Sequence, residues 1–112
     1  MDEILRKDRD IPWQSFENCH DGEGAVLCKS LLDNTGSEKF RYMHFDNIKK
    51  DVSIGEHPHT DNEEIYYLVS GKGILLFDGQ EYEMRPGDVS LCRPGHSHGF
   101  IAAEDSILIV VA

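Results

Sequence analysis

The chain has 112 residues, 21 acidic and 11 basic, for a formal net charge of −10 at pH 7. That length supports one modest hydrophobic core, so a single domain over residues 1–112 is expected. The negative charge, spread from Asp2 to Asp105, opposes phosphate backbones and anionic lipid, so nucleic acid and membrane are excluded as expected partners.

Cys19, Cys28 and Cys92 are odd in number and form no CxxC spacing, which argues against a disulfide framework or a zinc knuckle. The first ten residues, MDEILRKDRD, are dominated by charge and lack the apolar run of a secretory leader. No apolar stretch approaches a membrane span in length. A cytoplasmic location is the expectation.

In chain order, residues 2–9 allow a short N-terminal turn that Pro12 stops. From Val26 onward the pattern is short strands between turns. Ala25 to Leu32 is the first candidate, ended by Asp33-Asn34-Thr35-Gly36, and Phe40 to Phe45 the second. Residues Thr60 to Asn62 read as a turn after an extended arm. Glu64 to Ser70 (EIYYLVS) is strongly β. Ile74 to Phe77 and Gln80 to Met84 flank the tight-turn pair Asp78-Gly79. Val89 to Cys92, Phe100 to Ala103 and Ile107 to Val111 complete the series. Short strands with turns every ~8–12 residues have the rhythm of an all-β sandwich or barrel. Their edges call for closure or for pairing with a second subunit.

Chemistry concentrates in two segments, Gly55 to Gly71 and Pro86 to Phe100. His57 and His59 are two apart, so on an extended strand both imidazoles face one side. Pro58 between them suits a strand end. After the turn the chain can return with Glu64 facing the same point. Imidazoles with one carboxylate make a mixed nitrogen and oxygen site suited to Fe, Mn, Ni, Co or Zn. Glu64 shares strand parity with Tyr66, Leu68 and Ser70, whereas Glu63 reads as a solvated turn residue.

The two segments together closely resemble the two motifs of the cupin superfamily. The first motif, HxH followed by Glu and then Gly, corresponds to His57, His59, Glu64 and Gly71, within residues 55–71. The second, over 87–102, has Gly87, Gly95 and His98 in its glycine and histidine positions. Asp51 stands where the first motif has glycine, with Gly55 nearby to take over the turn. Arg93 stands at the second motif's proline and Ala102 at its terminal asparagine. The resemblance implies an all-β, double-stranded β-helix or jelly-roll barrel with little helix. It adds His98 as a ligand, completing a set of His57, His59, Glu64 and His98 around one divalent transition metal. It also implies a homodimer, for which the apolar run Ile107–Val111 and the outward faces of the aromatic strands offer surface.

A six-coordinate ion held by four side chains has two positions left for a small-molecule ligand. A carboxylate, hydroxy acid, keto acid or sugar-like metabolite fits such a centre. The resemblance opens dioxygenase, isomerase, lyase and decarboxylase chemistry, and equally a binding or sensing role without turnover. Tyr66, on the face of Glu64, is a candidate for proton transfer, or else fills the barrel. Arg93 is a candidate partner for a substrate carboxylate, or else a solvated charge. His96, two before His98, is a further substrate-binding candidate, or else a rim histidine. His20 and His44 show no partner pattern and read as structural or surface residues. Parity places Val89 and Leu91 inside and Ser90 and Cys92 outside.

Overall fold

A computed structural model describes residues 4–112. Its ten strands are β1 (Gln14–Glu17), β2 (Ala25–Asp33), β3 (Tyr42–Ile48), β4 (Ser53–Pro58), β5 (Glu64–Ser70), β6 (Gly73–Phe77), β7 (Gln80–Met84), β8 (Val89–Cys92), β9 (Ser97–Ala102) and β10 (Ser106–Val111). Two single 3-10 turns, Asp8–Asp10 and Cys19–Asp21, are the helical elements among the described residues. Of the expected N-terminal turn, residues 2 and 3 lie outside the described residues.

The strands form two antiparallel sheets, ordered β1-β2-β3-β10-β5-β8 and β4-β9-β6-β7. Both sheets feed one core. Val26, Ile48, Tyr66, Leu68, Leu108 and Val110 come from the larger sheet, and Ile54, Met84, Phe100 and Ala102 from the smaller. Residues in β5 alternate between buried and exposed, as a half-buried strand should. Each large aliphatic side chain so covered contributes ~1.5–3 kcal/mol relative to exposure. Asp78 and Gly79 join β6 to β7 with φ of 49° and 77°, and Phe77 pairs with Gln80. Two consecutive positive φ values give the two-residue turn whose twist matches a hairpin.

Several expectations need correction. β3 begins at Tyr42, not Phe40, because the Arg41 and Tyr42 amides donate to Ala112 O where the chain meets the end of β10. β9 begins at Ser97 and so takes in His98. β1 and β4 were not separable as strands by pattern. β1 is exposed along its whole length, and β4 breaks its alternation. The turn before β4 is made by Asp51 itself, at φ 70°. Gly55 lies inside β4, not in that turn.

The β8 assignment is reversed. Val89 and Leu91 are 64% and 48% exposed, while Cys92 is fully buried. Cross-strand partners share a face, and Cys92 opposes Glu64 while Ser90 opposes Tyr66. The inward face of β5 therefore carries Ser90 and Cys92 inward with it. β10 lies between β3 and β5 with both edges paired, so any surface it offers to a second subunit is its outer face alone.

Candidate metal centre

β4 and β9 pair as Ile54 with Phe100 and as His57 with His98, with the register shifted between. Gly55 and Glu56 thus oppose Gly99 alone, which is a β-bulge. The extra residue lets Ile54 and His57, three apart, both turn inward. A side chain at Gly55 would collide with the carbonyl of His20. Glycine there lets the Cys19–Asp21 turn close over β4, and the His20 ring stacks on His57 at 3.5 Å between centroids.

His57, His59, Glu64 and His98 come together, with one ligand atom from each within 4.8 Å of the others. Glu64 Oε1 lies 2.8 Å from His98 Nε2, 3.4 Å from His59 Nε2 and 4.0 Å from His57 Nε2. His59 Nε2 and His98 Nε2 are 3.0 Å apart. Neighbouring ligands around an ion with bonds of about 2.1 Å sit at similar spacings. His57 Nδ1 donates to Gly55 O and His59 Nδ1 to Asn62 Oδ1, each at 2.8 Å. These bonds fix the tautomers and leave the Nε2 lone pairs of both rings aimed at a carboxylate oxygen. Lone pairs facing an anion repel unless a cation lies between them, so the donor set fits a metal ion.

Burial and hydrogen bonding set the charge states of His57 and Glu64. Burial is the largest influence on His57 and pushes its pKa down to about 4, so the ring is neutral at pH 7. For Glu64, burial raises the pKa, but hydrogen bonds involving His98 and Tyr42 outweigh it and the net shift is downward. Tyr42 Oη donates to Glu64 Oε2. Tyr66 lies parallel to His98 with centroids 4.0 Å apart. Burial pushes its phenol up, so it stays protonated.

Beside this cluster is a cavity of ≈ 270 Å³. Val26, Ile54 and Val110 give it apolar walls, and His20, Tyr42, His44, Asp46 and Tyr66 give polar groups. Arg93 and His96 are not among its lining residues. Arg93 is exposed in the turn before β9. His96 Nδ1 donates to Asp78 Oδ2 at 2.6 Å, while its carbonyl accepts from the His59 amide at 3.0 Å. Glu56 Oε2 accepts from the Gly79 amide and from Ser97 Oγ, and Asp78 Oδ1 from the Ser97 amide. The rim of the site is therefore tied to the β6–β7 turn.

Sequence reasoning missed His20, Tyr42, His44 and Asp46 as cavity residues. His20 gave no signal, because its place depends on the close approach at Gly55. The β3 residues did give one: Tyr42, His44 and Asp46 share strand parity with buried Ile48, and polar residues on a core-facing stripe mark a cavity.

Fold and side chains together define a class, small antiparallel β-barrels with a His/Glu cluster inside. The chain belongs to the family described as the Cupin domain, whose model matches residues 43–112. It is 28% identical over 96 residues to an oxalate-binding protein of Thermotoga maritima, covering 85% of this chain and 79% of that one. Among solved structures it resembles a predicted oxalate decarboxylase from Thermotoga maritima, with a TM-score of 0.89 and 25% identity over 96% of each chain. An RmlC-like cupin from Shewanella frigidimarina shares the fold at a TM-score of 0.78 and 17% identity, over 97% of this chain and 88% of that one.

Proposed function

We propose that His57, His59, Glu64 and His98 hold one divalent transition metal ion (Fe, Mn, Ni, Co or Zn), and that this centre binds a small carboxylate of the oxalate, hydroxy-acid or keto-acid class. The observation that carries the reading is the convergence of three Nε2 atoms on Glu64 Oε1. Three neutral imidazoles, one carboxylate and a divalent ion leave a single net positive charge, matched to an anionic oxygen ligand. When bound, the ion supplies Lewis acidity, polarising a carbonyl or acidifying a water.

The chain's own residues do the rest. Gly55 O and Asn62 orient two imidazoles, Tyr42 holds Glu64, and Tyr66 braces His98 and offers a phenol hydrogen to the ligand. Val26, Ile54 and Val110 keep bulk water from the charged groups, which strengthens their interactions. A volume of ≈ 270 Å³ falls just below the ~300–1,000 Å³ typical of drug-sized ligands, so a ligand of few heavy atoms is favoured.

The catalytic form of this reading is a metal-dependent decarboxylase, with lyase, isomerase and dioxygenase chemistry open to the same centre. It is supported by the likeness to the predicted oxalate decarboxylase. The second reading, binding without turnover, is supported by the relative named for oxalate binding. The test loads the protein with each metal, follows oxalate binding by calorimetry, and assays formate and carbon dioxide. Metal-dependent binding with product supports the enzyme. Binding without product supports the carrier or sensor. A protein that retains no metal even after reconstitution rejects both.

The reading extends to assembly and location. Ile65, Tyr67, Val69, Val89 and Leu91 are exposed together on the outer face of β5 and β8, and an apolar cluster of this kind fits a homodimer contact. Light scattering should give a dimer that Val89→Lys converts to monomer; a monomeric parent rejects it. Three free thiols suit a reducing, cytoplasmic setting.

A further inference from the structure

The β2–β3 wall of the cavity carries another group of ligand-type side chains. His44 and Asp46 are two apart on β3 and face inward, and Cys28 on β2 is the register partner of Asp46. One ligand atom from each of Cys28, His44 and Asp46 lies within 4.8 Å of the other two. All three line the cavity. Cys28 is 2% exposed and Asp46 5%, yet Asp46 Oδ1 has no hydrogen-bond partner among the described residues. A buried carboxylate oxygen without a partner is uncommon and marks a place where a cation or proton belongs. Among the described residues, no basic side chain lines this cavity beyond its histidines. Burial pushes the Cys28 thiol up and the Asp46 carboxyl up to about 6, as expected of acidic groups that lack a counter-charge.

We propose that Cys28, His44 and Asp46 form a second metal site, separate from the His57–His59–Glu64–His98 centre, that takes one Zn²⁺ or Co²⁺ ion through sulfur, nitrogen and oxygen and leaves its fourth position toward the cavity. Thiolate, imidazole and carboxylate together suit these borderline ions in tetrahedral geometry. The thiolate and carboxylate charges cancel that of the ion, so the loaded site is neutral in its apolar surroundings. Binding forms the sulfur–metal bond as the S–H bond breaks. That proton, and any on Asp46, passes to solvent, and no electron is transferred. Affinity therefore rises with pH. The two sites differ in donor chemistry, since the other centre has no sulfur, and that difference supplies the test.

Reduced, metal-free protein is titrated with Co²⁺ alone, followed by elemental analysis and by the near-ultraviolet thiolate-to-cobalt charge-transfer band. The parent should take up two equivalents, with the band growing in over one of them. Cys28→Ser should lose the band and one equivalent, and Cys19→Ser should keep both. A variant with His57, His59 and His98 changed to Ala should lose the other equivalent and keep the band, which separates failure of this site from failure of the main centre. No band in the parent would mean that the Cys28 thiol serves Asp46 only as a hydrogen-bond donor, and the proposal falls. A band that survives Cys28→Ser, or vanishes in Cys19→Ser, also overturns it. Should Cys28→Ser not fold, Asp46→Asn keeps the sulfur and nearly the same volume. Its cobalt affinity should drop at least ~10-fold, and an unchanged affinity rejects the site.

Discussion

On the β4–β9 side of the cavity, His57, His59 and His98 reach inward from a bulged strand, a strand end and a fully paired strand. Two of the three rings are tied by their outer nitrogens, to Gly55 O and Asn62. On the β2–β3 side, Cys28, His44 and Asp46 are presented by strand alternation alone. His44 leans on Tyr42 with centroids 4.7 Å apart, and Asp46 Oδ1 is bonded to nothing among the described residues. On the proposed reading, the first wall is preorganised for a cation before one arrives. The second holds protons that a cation must displace. Affinity on the first wall should therefore depend on the ties behind the ligands, and on the second wall on pH.

The largest effect is expected from His98→Ala. It removes a fully buried member of the proposed ligand set and should abolish one equivalent of metal while leaving the cobalt–thiolate band in place. If both signals vanish together, the two walls form one site. Next is the cost of ionising Asp46 in metal-free protein. Its folded pKa of about 6 lies above the ordinary 3.8, so the native state holds the proton more tightly than the unfolded chain does. The stabilisation is full below about pH 4 and is lost as pH rises through 6, a change of about 3 kcal/mol. Burial of His57, with its pKa pushed down to about 4, acts in the opposite direction in both proteins, so urea unfolding at pH 4 and pH 8 should show Asp46→Asn gaining about 3 kcal/mol on the parent across that range; parallel profiles would discard it. Asn62→Ala removes the tie behind His59 and should weaken metal binding at the main centre ~10–100-fold, measured by chelator competition. The smallest effect is expected for Tyr42→Phe, which removes one hydrogen bond to Glu64 and should cost about 1–2 kcal/mol in the same assay.

The legibility of the sequence follows the same divide. β5, β7 and β8 have the bounds their composition announces, because glycine and proline turns punctuate β7 and β8 on both sides, and the polar turn Thr60–Asn62 and Gly71 bracket β5. Glu64 could be told from Glu63 by parity with Tyr66 and Leu68, and Glu63 is indeed exposed. Where pairing departs from simple alternation, single-strand reasoning fails. The bulge at Gly55 hid β4, and β8 was assigned the wrong face because its orientation is inherited from the pairing of Cys92 with Glu64. Histidine spacing drew attention to one wall. The signal of the other wall is the alternating polar stripe on β3, which becomes informative once Ile48 is known to face the core.

The carboxylates of Glu56 and Asp78 bind the β6–β7 turn to Ser97, the residue before His98. That turn looks from outside like an ordinary hairpin tip, of the kind that tolerates insertions, grafted peptides and labels. Here it acts as a cross-brace, and lengthening it would loosen the neighbours of His98. The loop around Gly36, where an added side chain would meet nothing within 4 Å, makes no such connection. A tag or fluorophore would find open space there, in the loop that joins β2 to β3.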